Sequence, residues 1–136
     1  MARLILLAYQ LLTGVSDTST GALLLIAPEL ALRLVRQQAP PAAAVFLSFI
    51  GAFVLPVGLA CLYGAYLVAT GGSTKKLAIV WLLTAFTRAS VAIFVVNQIL
   101  ASTLASGWLA VAAADGACVL VQAIGLRRGW IGAAAH

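Results

Sequence analysis

Charge is scarce in this sequence: of 136 residues, three are Asp or Glu, eight are Lys or Arg, and the single histidine is His136 at the very end. Without a histidine inside the apolar segments, no His-based metal site, haem axial pair or His-dependent triad can be built there. The two cysteines, Cys61 and Cys118, stand on different segments without the C-x-x-C spacing of a thiol-disulfide enzyme, and are expected to be small packing residues. With no cofactor motif either, no cofactor is expected. Charged residues make up 8% of the chain and hydrophobic ones 64%, whereas soluble domains are about one quarter charged. That balance excludes a soluble globular fold. Nucleic acid is not an expected partner despite the formal charge of +5, because the basic residues sit singly or in pairs at the ends of apolar runs.

What the chain has instead is apolar length. Four runs are each long enough for a spanning helix, which needs roughly 20 mostly apolar residues. They extend over about 3–27, 43–70, 77–100 and 104–126, within a single domain of residues 1–136. Pro28-Glu29 closes the first, Pro40-Pro41 and Gly71-Gly72 bound the second, Lys75 and Lys76 precede the third, and Arg127 and Arg128 stop the fourth. The runs are rich in Ala and Leu and lack the ten-residue alternation of barrel strands, so the expected fold class is all-α, an integral membrane four-helix bundle. Arg3 followed by Leu4 to Leu12 resembles a signal peptide, but apolar character resumes through Ile26 and a retained span is expected. Arg3, Lys75, Lys76, Arg127 and Arg128 fall on one side of such a bundle against Arg33 and Arg36 on the other, which places both termini in the cytoplasm. Residues 29–38 mix Leu30, Leu34 and Val35 with Arg33, Arg36 and Gln37, a pattern that suits either a short interfacial helix or an irregular loop.

Three ionisable residues interrupt the apolar runs near their middles: Asp17 in the first, Arg88 in the third and Asp115 in the fourth. At about 1.5 Å rise per residue they share one depth, so the fold can bring them together. A mid-span charge costs at least about 2.5–3.5 kcal/mol on insertion scales unless it finds partners. Arg88 is therefore expected to pair with Asp17, Asp115 or both, its planar fork being able to engage two carboxylates at once. Two carboxylates against one guanidinium leave a formal surplus of one negative charge, to be met by protonation, by water, or by a cation or cationic ligand. Polar neighbours follow helical spacing. Gln10, Thr13, Asp17 and Thr20 form one stripe with Ser16 beside it; Thr84, Arg88 and Gln98 share a face; Trp108, Asp115 and Gln122 recur every seven residues. The candidate ligand-binding set is Asp17, Arg88, Asp115, Thr13, Thr84, Gln10, Gln122 and Trp108. The second run carries instead Gly51, Gly58 and Ala65 at intervals of seven, a smooth face for a close neighbour, and Pro56, which is expected to kink it. Trp81, Trp108 and Trp130, with Tyr9, Tyr63 and Tyr66, are expected mostly in interfacial belts, although Tyr9 and Tyr63 could instead touch a ligand.

The segments Gly21-Ala-Leu-Leu-Leu-Ile-Ala-Pro28-Glu29 and Gly51 to Gly58, with Arg88 and Ala113-Ala-Asp115-Gly116, resemble the small DoxX-like membrane proteins of bacteria. The resemblance covers nearly the whole chain in layout. It implies a multi-pass four-helix bundle in the bacterial inner (plasma) membrane, sometimes acting with redox partners, and brings no catalytic residues to carry over.

The expected function is that of a membrane-embedded binding protein whose midplane polar site takes a small amphipathic or lipid-like ligand. Alternatives are a small proton- or ion-coupled transporter, and a structural subunit in which the three charges are a clasp fixing helix packing. The expected partners are the lipid bilayer, such a ligand, and a second copy or a larger membrane complex; no metal site is expected. An enzyme is the less expected outcome, although two carboxylates beside an arginine can do acid-base work when one of them holds its proton.

Overall fold

The computed structural model describes residues 2–34 and 43–133, and within them the chain is helical with no strand. The order is α1 (Ala2–Ile26), α2 (Pro28–Leu34), α3 (Ala43–Thr70), α4 (Thr74–Leu100), a 3-10 turn (Ser106–Trp108), α5 (Leu109–Arg127) and α6 (Trp130–Ala133). Three segments, α3, α4 and Ser106–Arg127, are long and apolar enough to cross a membrane, so this is a multi-pass membrane protein. Their outer faces fit that environment: Phe46, Phe86 and Leu100 are 70%, 75% and 78% exposed, with no polar surface to cover them. At 25 residues α1 has the length of a span, but Gln10, Thr13 and the run Ser16 to Thr20 dilute its apolar character.

Helix boundaries follow local capping chemistry. Gly71, at φ +66°, takes the left-handed turn that ends α3, and the Gly72 N–H returns to Leu67 O at 2.7 Å. Ser73 then accepts from the Lys76 N–H, so α4 begins at Thr74, ahead of the two lysines that mark the start of its apolar run. Past α4, the Gln98 carbonyl accepts from the N–H of Thr103 and of Leu104, and the Gln98 side chain accepts from the Thr103 hydroxyl, which spends Gln98 on the turn. α2 covers the first part of the expected interfacial segment, and residues 35–38 lie outside the described region. α3 runs unbroken through Pro56.

Two helix pairs form the frame. α1 and α3 run antiparallel in close contact, with Gly14 against Leu62, Gly21 against Leu55, and Gly58 against Asp17 and Thr18. A Cβ on Gly21 would sit 2.7 Å from Leu55 Cα, and one on Gly58 would collide with the Thr18 backbone; only glycine allows this approach. α4 and α5 are likewise antiparallel, Trp81 lying beside Gln122 and Arg88 beside Asp115. α3 also touches α4, but no Cα of α1 comes within 8 Å of α4 or α5 among the described residues.

One end of the molecule is sealed by a cluster of Leu6, Leu67, Val68, Leu77, Trp81 and Ile131. Trp81 is fully buried there, stacked over Gly125, where a Cβ would fall 2.7 Å from its ring. It therefore departs from the belt position expected of it, because it lies far enough into α4 to reach this core. Arg3 closes the same end, its Nε and Nη2 donating to Val68 O at 3.2 Å and Ala69 O at 2.9 Å in the last turn of α3, where a cation also suits the helix dipole.

Candidate functional site

Arg88 projects from α4 into the space between α1 and α5. Its Nη1 donates to Asp115 Oδ1 at 2.8 Å and its Nη2 donates to Asp17 Oδ2. Both expected pairings are thus made at once, and side chains join three helices whose α1 backbone stands clear of the other two. Arg88 is the most buried member, its side chain 7% exposed against 19% for Asp17 and 16% for Asp115. Each carboxylate gives one oxygen to Arg88. The other oxygens, Asp17 Oδ1 and Asp115 Oδ2, accept no hydrogen bond from any described residue. Cys61 on α3 is fully buried, and Arg88 Nε is buried with no hydrogen-bond partner among the described residues.

The triad has a second polar level beneath it. Gln10 precedes Asp17 by seven residues, Trp81 precedes Arg88 by seven, and Gln122 follows Asp115 by seven. Because α1 and α4 run in one direction and α5 in the other, all three lie on the same side of the triad, about 10 Å away at the helical rise. Here Gln122 Nε2 donates to Thr84 Oγ1 at 2.7 Å and to Trp81 O at 3.1 Å, and Thr84 Oγ1 donates to Val80 O at 2.8 Å. Gln10 packs over Gly64 near Val80, fully buried, and among the described residues neither of its amide atoms, nor Gln122 Oε1 or Trp81 Nε1, has a hydrogen-bond partner. An unmet buried polar group costs about 1–3 kcal/mol, so this level is held at an energetic disadvantage by the packing around it.

Most of the candidate residues therefore fall in two layers: Asp17, Arg88 and Asp115 in one, Gln10, Thr84 and Gln122 in the other. Thr13 sits between them, half-buried, its hydroxyl donating to Tyr9 O at 2.8 Å. Trp108 is not brought in; it stands at the start of α5, two turns from Asp115 on the side away from Gln122. Tyr9 bridges the gap that α1 leaves, donating to Cys118 O on α5 at 3.4 Å and packing its ring 5.4 Å from that of Trp81. The part played by Trp81 and Cys61 was not visible in residue type, but Trp81 carries the same seven-residue offset from Arg88 that Gln10 and Gln122 carry from their carboxylates. A depression of about 390 Å³, lined by residues 26–30, Arg33 and Ala44, belongs to the α1–α2 corner and not to the triad.

No protein-family model, curated protein or solved structure matches this chain.

Proposed function

We propose that the protein is a four-helix bundle of the bacterial inner membrane, with α1 as the fourth span and both termini cytoplasmic, and that it binds the polar end of a small amphipathic or lipid-like molecule at Asp17, Arg88 and Asp115. The DoxX-like layout of Gly21 to Glu29, Gly51 to Gly58, Arg88 and Ala113 to Gly116 agrees with that assignment. The observation that carries the binding function is the second oxygen of each carboxylate, which has no hydrogen-bond partner among the described residues and belongs to a partly exposed side chain at the middle of apolar helices. Charges at that depth are expensive, and groups that serve packing alone gain by being fully satisfied. Thr13 lies one turn from Asp17, and the Gln10–Thr84–Gln122 level supplies neutral hydrogen-bonding capacity about 10 Å from the charges. A ligand reaches the site from the lipid, between α1 and α5, whose backbones stand more than 8 Å apart.

A second reading has its own support. Arg88 ties α1 to α4 and α5 through the two ion pairs, beside the contacts of Tyr9 with Cys118 and Trp81, which is what a structural clasp or a subunit of a larger complex requires. Native mass spectrometry of gently extracted wild type and Arg88→Gln separates the two. A small molecule carried by the wild type and lost from an intact variant supports binding; a bare wild type with a variant that misassembles supports the clasp.

A further inference from the structure

We propose that the group this site takes is a primary ammonium at the head of an apolar chain. The inference rests on the binding function above and adds the sign of charge. Residue types alone leave both signs open: Arg88 could take an anionic or carbonyl group while the aspartates orient it and accept from donors on the ligand, or the surplus negative charge could take a cation. The geometry favours the cation. Both terminal nitrogens of Arg88 are engaged, and its side chain is more buried than that of either aspartate. An arriving group meets Asp17 and Asp115 first, each with one unbonded oxygen, in a cluster with two formal negative charges to one positive. An anion would be repelled there; an ammonium donates to both oxygens and brings the sum to zero.

A separate observation shows that the polar column is not completed by the protein itself. Gln10, on the same stripe of α1 as Asp17, is fully buried with both amide atoms unpartnered among the described residues, and Gln122 Oε1 on the Asp115 face of α5 is in the same condition. Two unbonded carboxylate oxygens also discriminate among cations. Calcium takes 6–8 oxygen ligands and magnesium near-ideal octahedral geometry, and among the described residues no group of three or more His, Cys, Asp or Glu could hold a metal ion. An ammonium nitrogen needs only a few directional acceptors. Its chain has somewhere to go, since a Cβ on Gly116, next to Asp115, would meet nothing within 4 Å.

The test compares three probes of equal length, dodecylamine, dodecanol and dodecanoate, on wild type in a neutral maltoside detergent, read by native mass spectrometry and by titration calorimetry. Saturable binding of dodecylamine roughly tenfold tighter than either other probe, with a comparable loss in Asp115→Asn, is the expected result. The ranking on wild type stands even where that variant fails to fold. Tightest binding of dodecanoate overturns the ammonium assignment and leaves the binding function in place with its charge reversed. Equal uptake of all three, unchanged in Asp115→Asn, is partition into detergent and overturns both.

Discussion

Helix α1 is joined to its neighbours by opposite means on its two sides. Toward α3 it offers Gly14 and Gly21 to a helix that returns Gly51 and Gly58, and the backbones meet with almost nothing between them. Toward α4 and α5 the backbones stay apart, and Asp17 and Tyr9 reach across to Arg88 and to the Cys118 carbonyl. The first seam works by shape and has no place for added volume. The second works by charge and hydrogen bonding, and has little tolerance for a partner removed. In a lipid environment, where apolar surface gains nothing by meeting apolar surface, these are the two available ways to hold a helix: close van der Waals approach, or polar groups that have no better partner outside.

The comparison is broken most strongly at Arg88. Arg88→Ala leaves two carboxylates facing each other at the middle of the helices, and removing one partner of a buried pair costs about 3–5 kcal/mol. The loss should appear in reversible unfolding in mixed detergent, and Arg88→Lys should recover only part of it, because a lysine tethered at this position is a single point donor without the planar, preorganised fork whose two terminal nitrogens reach the two aspartates. On the other seam, Gly51→Val should cost about 1–3 kcal/mol or more through overpacking against Gly21, Leu24 and Leu25, at least a turn of α1 away from Asp17. If the seams are separate, the double variant Arg88→Lys with Gly51→Val should be additive within about 0.5 kcal/mol; a larger coupling would show that α1 moves as the charge site is disturbed. Ser73→Ala removes the acceptor for Lys76 N–H at the exposed start of α4 and should cost about 0.5–2 kcal/mol, toward the low end given the 3.4 Å bond. Smallest of all, Gly116→Ala, whose added methyl meets nothing within 4 Å, should be neutral or stabilising by up to about 1 kcal/mol through helix propensity.

The polar seam was the more legible of the two in the sequence. Asp17, Arg88 and Asp115 stand out because a charge in an apolar run is rare, and equal depth follows from counting residues along each run. That Arg88 takes both carboxylates, and that it ends up more buried than they are, depends on the rotation of α1 about its axis, which residue spacing does not fix. The glycine seam was half visible: Gly51, Gly58 and Ala65 drew notice as a smooth stripe, whereas Gly14 and Gly21, at the same interval on α1, are overshadowed by the polar residues around them. Gln98 shares a face with Arg88 by counting, yet the turn after α4 claims its carbonyl and side chain. Trp108 fits a seven-residue repeat through Asp115, but that repeat continues past the charge layer toward the opposite end of α5. Periodicity names a face and leaves open how much of it the site uses.

The two polar levels share one interval on three helices, and this bears on how the chain can change over evolutionary time. A point substitution alters one group in one layer. A single inserted or deleted residue between Gln10 and Asp17, between Trp81 and Arg88, or between Asp115 and Gln122 turns one layer by about 100° against the other on that helix. The tolerated indels there are whole heptads, or the three- and four-residue steps that nearly restore the face, so in these stretches the chain can drift readily in composition while its spacing stays locked.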